Sequence, residues 1–169
     1  QLKTYGYTNT EGFEISADRS AYAKKLDVLV VDKKNQLSPP YDVVYSSHVI
    51  EHTPDPASTI EEQIRLLKTH GGLVFGFCPH GSPKFRTENR DAFHRIWGKV
   101  HPVIPTVDFF RSFFSHNPFF LSGTHEGFIS KLRNWNRTNS FIEEPESSEL
   151  FWAAFFNENN KPCGRRLVN

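Results

Sequence analysis

Short apolar runs alternate along the chain with stretches that have the spacing of amphipathic helices. The apolar runs predict strands at residues 11–15, 26–31, 41–46, 73–77, 119–122 and 150–156. Helical spacing predicts helices at residues 16–25, 56–70 and 107–115, with mixed helix and loop over residues 84–101. Residues 133–149 are polar and are predicted to be a long or partly disordered loop. Strands that alternate with helices in this order indicate an α/β fold with a doubly wound, mostly parallel sheet.

Polar residues and glycines mark the ends of the predicted helices. Ser16 or Asp18 is expected to cap the first helix, because both side chains can accept a hydrogen bond from a free backbone N–H. Asp55 followed by Pro56 is typical of the start of a helix. The Gly-Gly pair at residues 71–72 is expected to end that helix.

Composition narrows the class of protein. At 169 residues, with 37% apolar and 23% charged residues, the chain fits one soluble domain, residues 1–169. A formal net charge of +1 without a basic block argues against a nucleic-acid partner. Cys78 and Cys163 lie far apart in the sequence and lack the spacing of metal ligands. Two such cysteines do not indicate a disulfide framework, so a reducing cytoplasm is the expected location. No apolar run approaches the roughly 18 residues that a membrane span needs.

Candidate binding residues stand where the predicted strands end. In a parallel sheet the carboxyl ends of the strands meet at one edge, and ligands bind there. The residues at these ends are 14–16, 32, 46–48 and 78–80. Glu14 can accept hydrogen bonds from both hydroxyls of a ribose, and Asp32 can accept one from an adenine amino group. The alternative for either acid is a surface or loop carboxylate without a ligand.

The run from His48 to His52 has two interpretations. Its pattern, H-x-x-E-H, is that of inverted zincins, in which two histidines hold zinc and the glutamate activates water. That chemistry needs one regular helix, but a strand precedes His48 directly and Pro54 follows closely. The sequence therefore favours a tight turn, in which Glu51 and His52 hydrogen-bond to the backbone and to each other.

The chain after residue 80 is rich in histidine and aromatic side chains that can line a ligand pocket. They include His80, His94, Trp97 and His101. Among them, His101 before Pro102 is the candidate for a functional role. The pairs Phe109–Phe113 and Phe110–Phe114 have helical spacing, which is more typical of a core than of a site.

Four blocks of sequence, in order, carry a resemblance to a known family. They are GFEIS at residues 12–16, VVD at 30–32, YDVVYSSHVIEHTPDP at 41–56 and RLLKTHGGLVFGFCPH at 65–80. Over about residues 10–115 the chain resembles the class I S-adenosylmethionine-dependent methyltransferases, in particular the small-molecule group that includes ubiquinone-pathway O-methyltransferases. This implies a Rossmann-like fold. The family's first strand and glycine-rich loop find no match after Gln1, so an incomplete N-terminus is expected.

The resemblance implies S-adenosylmethionine as the cofactor and a small molecule as the methyl acceptor. The residues implied in cofactor binding are Glu14, Ile15, Asp32, Ser46, Ser47 and His48. A base is needed only if the acceptor must lose a proton, and His101 or His80 is the candidate for that role. The domain then divides into a cofactor-side core at 10–80, a substrate side at 81–149, and a late strand and tail at 150–169.

A metal site is not predicted. Some relatives have an acid at the position of His48, and that acid binds a divalent ion together with the following Glu-His pair. This chain has a histidine there instead of an acid.

Two functions stay open beside an active methyltransferase. One is a catalytically silent methyltransferase-like binding domain, and the other is a zinc hydrolase that uses His48, Glu51 and His52.

Overall fold

Strands and helices alternate along most of the protein. The computed structural model describes residues 5–7, 9–88, 90–96, 101–145 and 149–156. The strands are β1 (Gly12–Phe13), β2 (Val30–Val31), β3 (Val43–Ser47), β4 (Gly72–Pro79), β5 (Phe119–Gly123), β6 (Phe141–Ile142) and β7 (Glu149–Phe156). The helices are α1 (Ala17–Lys25), α2 (Pro56–Arg65), α3 (Pro83–Glu88), α4 (Arg90–Ile96), α5 (Val107–Phe113) and α6 (Phe128–Asn134). The predictions for Trp97, Cys163 and the tail after residue 156 lie outside the described residues.

The chain divides into two compact units, Gln1–Pro39 and Pro40–Asn169. In the first unit β1 and β2 pair in parallel, with Phe13 opposite Val31. Helix α1 begins after Ser16, whose side chain accepts a hydrogen bond from the Arg19 N–H. The predicted strand, cap and helix of this unit are therefore confirmed, although β1 is shorter than predicted.

The prediction of a buried strand from residue 26 is wrong at its start. The backbone N–H groups of residues 26–28 donate to carbonyls of the last turn of α1, so these residues close the helix. Leu26 and Leu29 are 58% and 59% exposed. Because a backbone group that closes a helix is not available to a strand ladder, the strand begins only at Val30.

The second unit contains a five-stranded sheet with the order β3-β4-β7-β5-β6. β3 pairs in parallel with β4, and β5 with β6, whereas β7 runs antiparallel to both β4 and β5. The carboxyl ends of β3, β4, β5 and β6 therefore lie at one edge, where β7 begins. We call this the carboxyl edge. The predicted α/β sheet with mostly parallel strands is confirmed.

Helix α2 and the turn after it link the two parallel strands β3 and β4. Asp55 caps the helix by accepting a hydrogen bond from the Ser58 N–H at 3.1 Å, and Pro56 occupies the first turn, as predicted. The helix ends at Arg65, however, before the predicted Gly-Gly stop. Backbone hydrogen bonds between Tyr41 and residues 66–68 hold this segment against the start of β3 instead.

Apolar side chains cover both faces of the five-stranded sheet. Because neighbouring strand residues point to opposite faces, Trp152 packs with α2 and α5 while Phe151 and Ala153 pack on the other side with α6. Phe110 and Phe114 are 0% and 1% exposed, which confirms that this pair belongs to the core.

Gly76 in the middle of β4 allows two parts of the core to approach each other. A Cβ atom at this position would lie 2.5 Å from the Ser46 carbonyl oxygen and 2.8 Å from Cζ2 of Trp152. Neither contact is possible for a real side chain, so β3 and the Trp152 ring both pack directly on the glycine backbone.

Short helical and strand segments interrupt the loop predicted over residues 133–149, whose other described residues lie in no helix or strand. Helix α6 reaches Asn134, and β6 pairs with β5 at Phe141 and Ile142. The Phe141 ring stacks on Phe120 with 4.7 Å between centroids, and this apolar contact holds a strand too short to show a pattern. Within the described ranges, no helix combines the length and apolar character that crossing a membrane requires.

Candidate functional site

In the first unit, two acids leave the same end of the two-stranded sheet. Glu14 follows β1, and its N–H donates to the Val31 carbonyl at 3.1 Å. Oε1 of Glu14 accepts a hydrogen bond from the Ser16 N–H at 2.8 Å, which fixes the carboxylate at the strand end. Asp32 follows β2 and is exposed, as is Ile15. The structure thus places Glu14 and Asp32 at adjacent strand ends, and their role in cofactor binding stays a prediction.

In the second unit, Ser46, Ser47 and His48 end strand β3, and their environments differ. Ser46 is buried, and its hydroxyl donates to Oε1 of Gln63 on α2 at 3.2 Å, so this side chain serves the packing of the helix. Ser47 and His48 are exposed. His48 has a φ of +51°, a left-handed conformation that a residue with a side chain adopts only at some energetic cost.

The segment after His48 forms a single 3-10 turn, Ile50–His52. The segment is thus the tight turn that was predicted. It does not form the regular helix on which an H-x-x-E-H zinc site is built. The ring of His48 instead lies between two carboxylates. Its Nδ1 is 3.1 Å from Oε1 of Glu51, and its Nε2 is 3.4 Å from Oε1 of Glu149, the first residue of β7.

Glu51 is a completely buried acid with one unsatisfied oxygen. Its relative exposure is 0%, and Oε2 has no hydrogen-bond partner among the described residues. Oε1 is shared between His48 and His52, whose Nε2 lies 3.9 Å away. Buried carboxylate oxygens are nearly always paired, so this exception calls for a physical explanation.

His101 lies beside this turn although it is distant in sequence. The rings of His52 and His101 have 4.6 Å between their centroids. One ligand atom each from Glu51, His52 and His101 forms a group whose members all lie within 4.8 Å of one another. Sequence reasoning singled out His101 but gave no reason to place it beside residues 51 and 52.

His80, the second predicted base, is fully buried at the carboxyl edge. It follows β4, and its Nδ1 accepts a hydrogen bond from the Ser82 N–H at 3.1 Å. Cys78 lies nearby on the same strand. Burial, followed by the charges of Glu51 and Glu149, raises the pKa of its thiol well above the ordinary value. The two predicted bases therefore have different environments, because His80 is fully buried and His101 is half-buried beside His52.

A second polar cluster, which sequence reasoning missed, lies at the carboxyl ends of β5 and β6. We call Ser122, His125, Lys131 and Glu143 the β5–β6 cluster. Oε2 of Glu143 accepts from the Ser122 hydroxyl at 2.6 Å and lies 2.7 Å from Nε2 of His125, while Oε1 accepts from Lys131 at 2.5 Å. These bonds, from Lys131 first, lower the pKa of Glu143 to about 2. The bond to Glu143 raises the pKa of His125.

Helices α3 and α4 border a cavity on the part of the chain that follows β4. Its volume is about 450 Å³, and it is lined by Pro83, Arg86, Thr87, Arg90 and His94. The lining is basic, and His94 was among the predicted pocket residues. No such cavity was predicted from the arginines, because their spacing alone does not show that two short helices face each other.

The family model described as "Methyltransferase domain" matches residues 1–114. The chain belongs to this family. The match includes both polar strand ends, the 3-10 turn and His101. It confirms the predicted membership of the class I S-adenosylmethionine-dependent methyltransferase family, and with it the α/β fold.

Solved structures with the same fold include two plantazolicin methyltransferases, BpumL and BamL. BpumL in complex with S-adenosylhomocysteine (SAH) superposes with a TM-score of 0.61 at 13% identity, over 92% of this chain and 69% of that chain. BamL, with a triazolic desmethylPZN analog and SAH, gives a TM-score of 0.61 at 13% identity, over 93% and 72%. At this level of identity the likeness shows the fold.

Two mycobacterial proteins are similar in sequence to a shorter stretch of this chain. The uncharacterized protein Rv2003c of Mycobacterium tuberculosis is 33% identical over 76 residues, which are 43% of this chain and 27% of the relative. An uncharacterized protein of Mycobacterium bovis matches over the same lengths with the same identity. The matched segment is thus about a quarter of the length of these curated relatives.

Proposed function

We propose that the protein transfers a methyl group from S-adenosylmethionine to a small-molecule acceptor. The observation that carries this proposal is the family match over residues 1–114, which spans every residue proposed below for the cofactor and for the base. The sulfonium of the cofactor is a good leaving group, so the protein mainly has to bind both partners, align them and exclude water.

The proposed cofactor residues fall into two groups. Glu14 would contact the ribose and Asp32 the adenine, because acids at strand ends accept hydrogen bonds from such hydroxyl and amino groups. Ile15, the residue after Glu14, would also lie against the ribose. Ser46, Ser47 and His48 would border the rest of the cofactor. Ser47 and His48 are exposed and suit direct contact, whereas the hydroxyl of Ser46 is held by Gln63 and suits a supporting role.

The acceptor would bind to the part of the chain after residue 80. The cavity lined by Arg86, Arg90 and His94 favours an acceptor that carries a negative group, since both arginines can pair with a carboxylate or phosphate. His101 is the better candidate for a base because it is half-buried, whereas His80 is fully buried and its Nδ1 is held by the Ser82 N–H. The SAH-bound methyltransferases BpumL and BamL, whose fold this chain shares, support S-adenosylmethionine as the donor.

Calorimetry with S-adenosylmethionine tests the cofactor assignment. We expect the wild-type chain to bind the cofactor and Glu14→Gln to bind it about tenfold or more weakly, because charge-assisted hydrogen bonds to the ribose are lost. Glu62→Gln, a change at an exposed acid on α2, is the matched control and should leave the affinity unchanged. Absence of binding to the wild-type chain, or equal affinity of both variants, contradicts the assignment.

A catalytically silent binding domain is the alternative. Release of SAH from methyl-labelled cofactor, measured with a panel of small carboxylate and phosphate acceptors, separates the two. Cofactor binding without SAH release for any acceptor would favour the silent domain. A cytoplasmic location is also proposed, supported by the two cysteines without a disulfide framework.

A further inference from the structure

The buried carboxyl group of Glu51 is the starting point. It is 0% exposed, one oxygen is engaged by His48 and His52, and the other has no partner in the described part of the chain. A carboxylate in such a place is stable only if something supplies positive charge or a donor to the second oxygen. No group in the described ranges is hydrogen-bonded to that oxygen, so a bound ligand is one physical way to satisfy it.

Two imidazoles stand beside this carboxyl group. One ligand atom each from Glu51, His52 and His101 lies within 4.8 Å of the others. In a tetrahedral site the ligand atoms lie about 2.0–2.2 Å from the zinc ion and therefore roughly 3.4 Å from one another. Because the three atoms lie within 4.8 Å of one another, the group has to close by up to about 1.4 Å. His52 and His101 retain exposed surface, and rotation of their rings can supply this movement.

From these donors we infer that Glu51, His52 and His101 bind one divalent transition-metal ion of the zinc class. Imidazole nitrogen suits Zn²⁺, Fe²⁺ or Co²⁺, whereas Mg²⁺ and Ca²⁺ prefer sites built of oxygen. Two histidines with one carboxylate form a three-ligand set that leaves a coordination position for water or substrate. The expected absence of a metal rested on the histidine at position 48 and on the lack of a regular helix over the H-x-x-E-H run. The third ligand, His101, comes from a separate segment of the chain.

His48 acts in this site as a partner of the carboxylate and not as a ligand. Its Nδ1 lies 3.1 Å from Oε1 of Glu51, and its other nitrogen lies 3.4 Å from Glu149. An outer hydrogen bond of this kind orients a metal-binding carboxylate and leaves its second oxygen for the ion. The left-handed backbone at His48 turns the chain so that the ring reaches both acids.

The inference deepens the proposed methyl transfer and rests on it for its catalytic meaning. A divalent ion at this position would lower the pKa of a bound acceptor hydroxyl, which must lose a proton before it attacks the methyl group. With its lone-pair nitrogen on the ion, His101 would not be the base, and the ion would take the role proposed above for that side chain. Glu51 and the two histidines would hold the ion, while His48 and Glu149 keep Glu51 in place. Zinc binding itself does not depend on the proposed reaction.

The test is metal binding by the purified chain after treatment with a chelator. Titration with Zn²⁺, and with Co²⁺ as a spectroscopic probe, should give one ion per chain and the visible absorption of Co²⁺ bound by nitrogen and oxygen. His101→Ala should weaken binding by about a hundredfold or more, since loss of even an outer-shell partner costs tenfold to a hundredfold. His116→Ala, at an exposed histidine outside the site, is the matched control and should bind as the wild type does.

Two further variants locate the ion. Glu51→Gln should abolish binding, and His48→Ala should weaken it by about tenfold to a hundredfold. No binding by the wild type, or wild-type affinity in His101→Ala, overturns the inference. Loss of binding in His48→Ala with binding kept in His101→Ala would move the site to the H-x-x-E-H run and also overturn it. Cofactor calorimetry with and without chelator should give the same affinity, which separates failure of this site from failure of the methyltransferase proposal.

Discussion

Glu51 and Glu143 are acids at the same edge of the same sheet, and their surroundings are opposite. Glu143 follows β6, is 31% exposed, and has hydrogen-bonding partners for both oxygens in the β5–β6 cluster. Glu51 follows β3, is 0% exposed, and has a partner for only one oxygen among the described residues. Glu51 is the more deeply buried acid and has the greater need of hydrogen-bond partners, but among the described residues it has fewer of them than Glu143.

The difference teaches how to tell a structural acid from a binding acid. Glu143 ties the end of β5, the loop after it, α6 and β6 together, and its hydrogen-bonding capacity is used by Ser122, His125 and Lys131. A ligand would have to displace those bonds. At Glu51 a ligand would complete the bonding instead, so only the second acid is suited to bind an ion.

The largest expected effect is stabilisation by zinc. At a free Zn²⁺ concentration of a hundred times Kd, the free energy of unfolding should rise by about 2.7 kcal/mol, because the ion binds only the folded chain. Urea unfolding at pH 7 should show this gain in the wild type and in His125→Ala, and no gain in Glu51→Gln. Loss of the gain in His125→Ala would show that both clusters bind the ion.

Opposite signs are expected when each acid is made neutral in the metal-free chain. Glu143→Gln should lower the free energy of unfolding by about 1 kcal/mol, a value reduced for the exposure of the group. Glu51→Gln should leave it unchanged or raise it, because a buried charge is removed while the bond to His48 is retained. Urea unfolding at pH 5.5 measures both, and equal losses would contradict the comparison.

The β5–β6 cluster should also have a pH window. The pKa of Glu143 falls from 4.5 to about 2 in the folded chain, so its contribution is present above pH 4.5 and is lost as pH falls toward 2. The pKa of His125 is raised above 6.5, so its contribution is present below pH 6.5 and is lost as pH rises through the folded value. The stability difference between wild type and Glu143→Gln should therefore be largest between pH 4.5 and 6.5. A difference independent of pH would contradict this.

The smallest expected effect concerns Glu149, which lies between the proposed metal site and the β5–β6 cluster. Glu149 contacts His48 through one oxygen and accepts a hydrogen bond from Thr124 at 3.2 Å through the other. Thr124→Val should lower stability by about 0.5 kcal/mol and change zinc affinity less than about twofold, since Glu149 keeps its contact with His48. A tenfold change in zinc affinity would show that the two clusters act as one site.

Local sequence patterns were sufficient for most of the fold. The caps at Ser16 and Asp55 were predicted because a cap depends on residues within one helical turn. Errors arose where two local structures compete for the same backbone groups. Residues 26–28 look like a strand but close α1, and residues 66–68 look like the end of a helix but bond to Tyr41.

The candidate site was predicted only in part, because its contacts are long-range. His48, Glu51 and His101 were each noticed, but the approach of His101 to His52 depends on how the segment after β4 returns to the carboxyl edge. Glu143 was hidden in a stretch predicted as a loop, and its three partners come from β5, the following loop and α6. Hydrophobic periodicity predicts local helices and strands, and it does not predict contacts between side chains from separate elements.

Because the core leaves no space for a side chain at Gly76, missense mutations at this position are expected to disturb the site. A methyl group there would collide with the Ser46 carbonyl and the Trp152 ring, and at least the carbonyl cannot move aside as a flexible side chain would. Ser46 lies on the strand that leads directly to His48 and Glu51. Every missense change at this codon should therefore push β3 from β4 and reach the histidine–glutamate turn from a distance. We expect such alleles to cause loss of function, although Gly76 is not among the residues proposed to bind the cofactor or the acceptor.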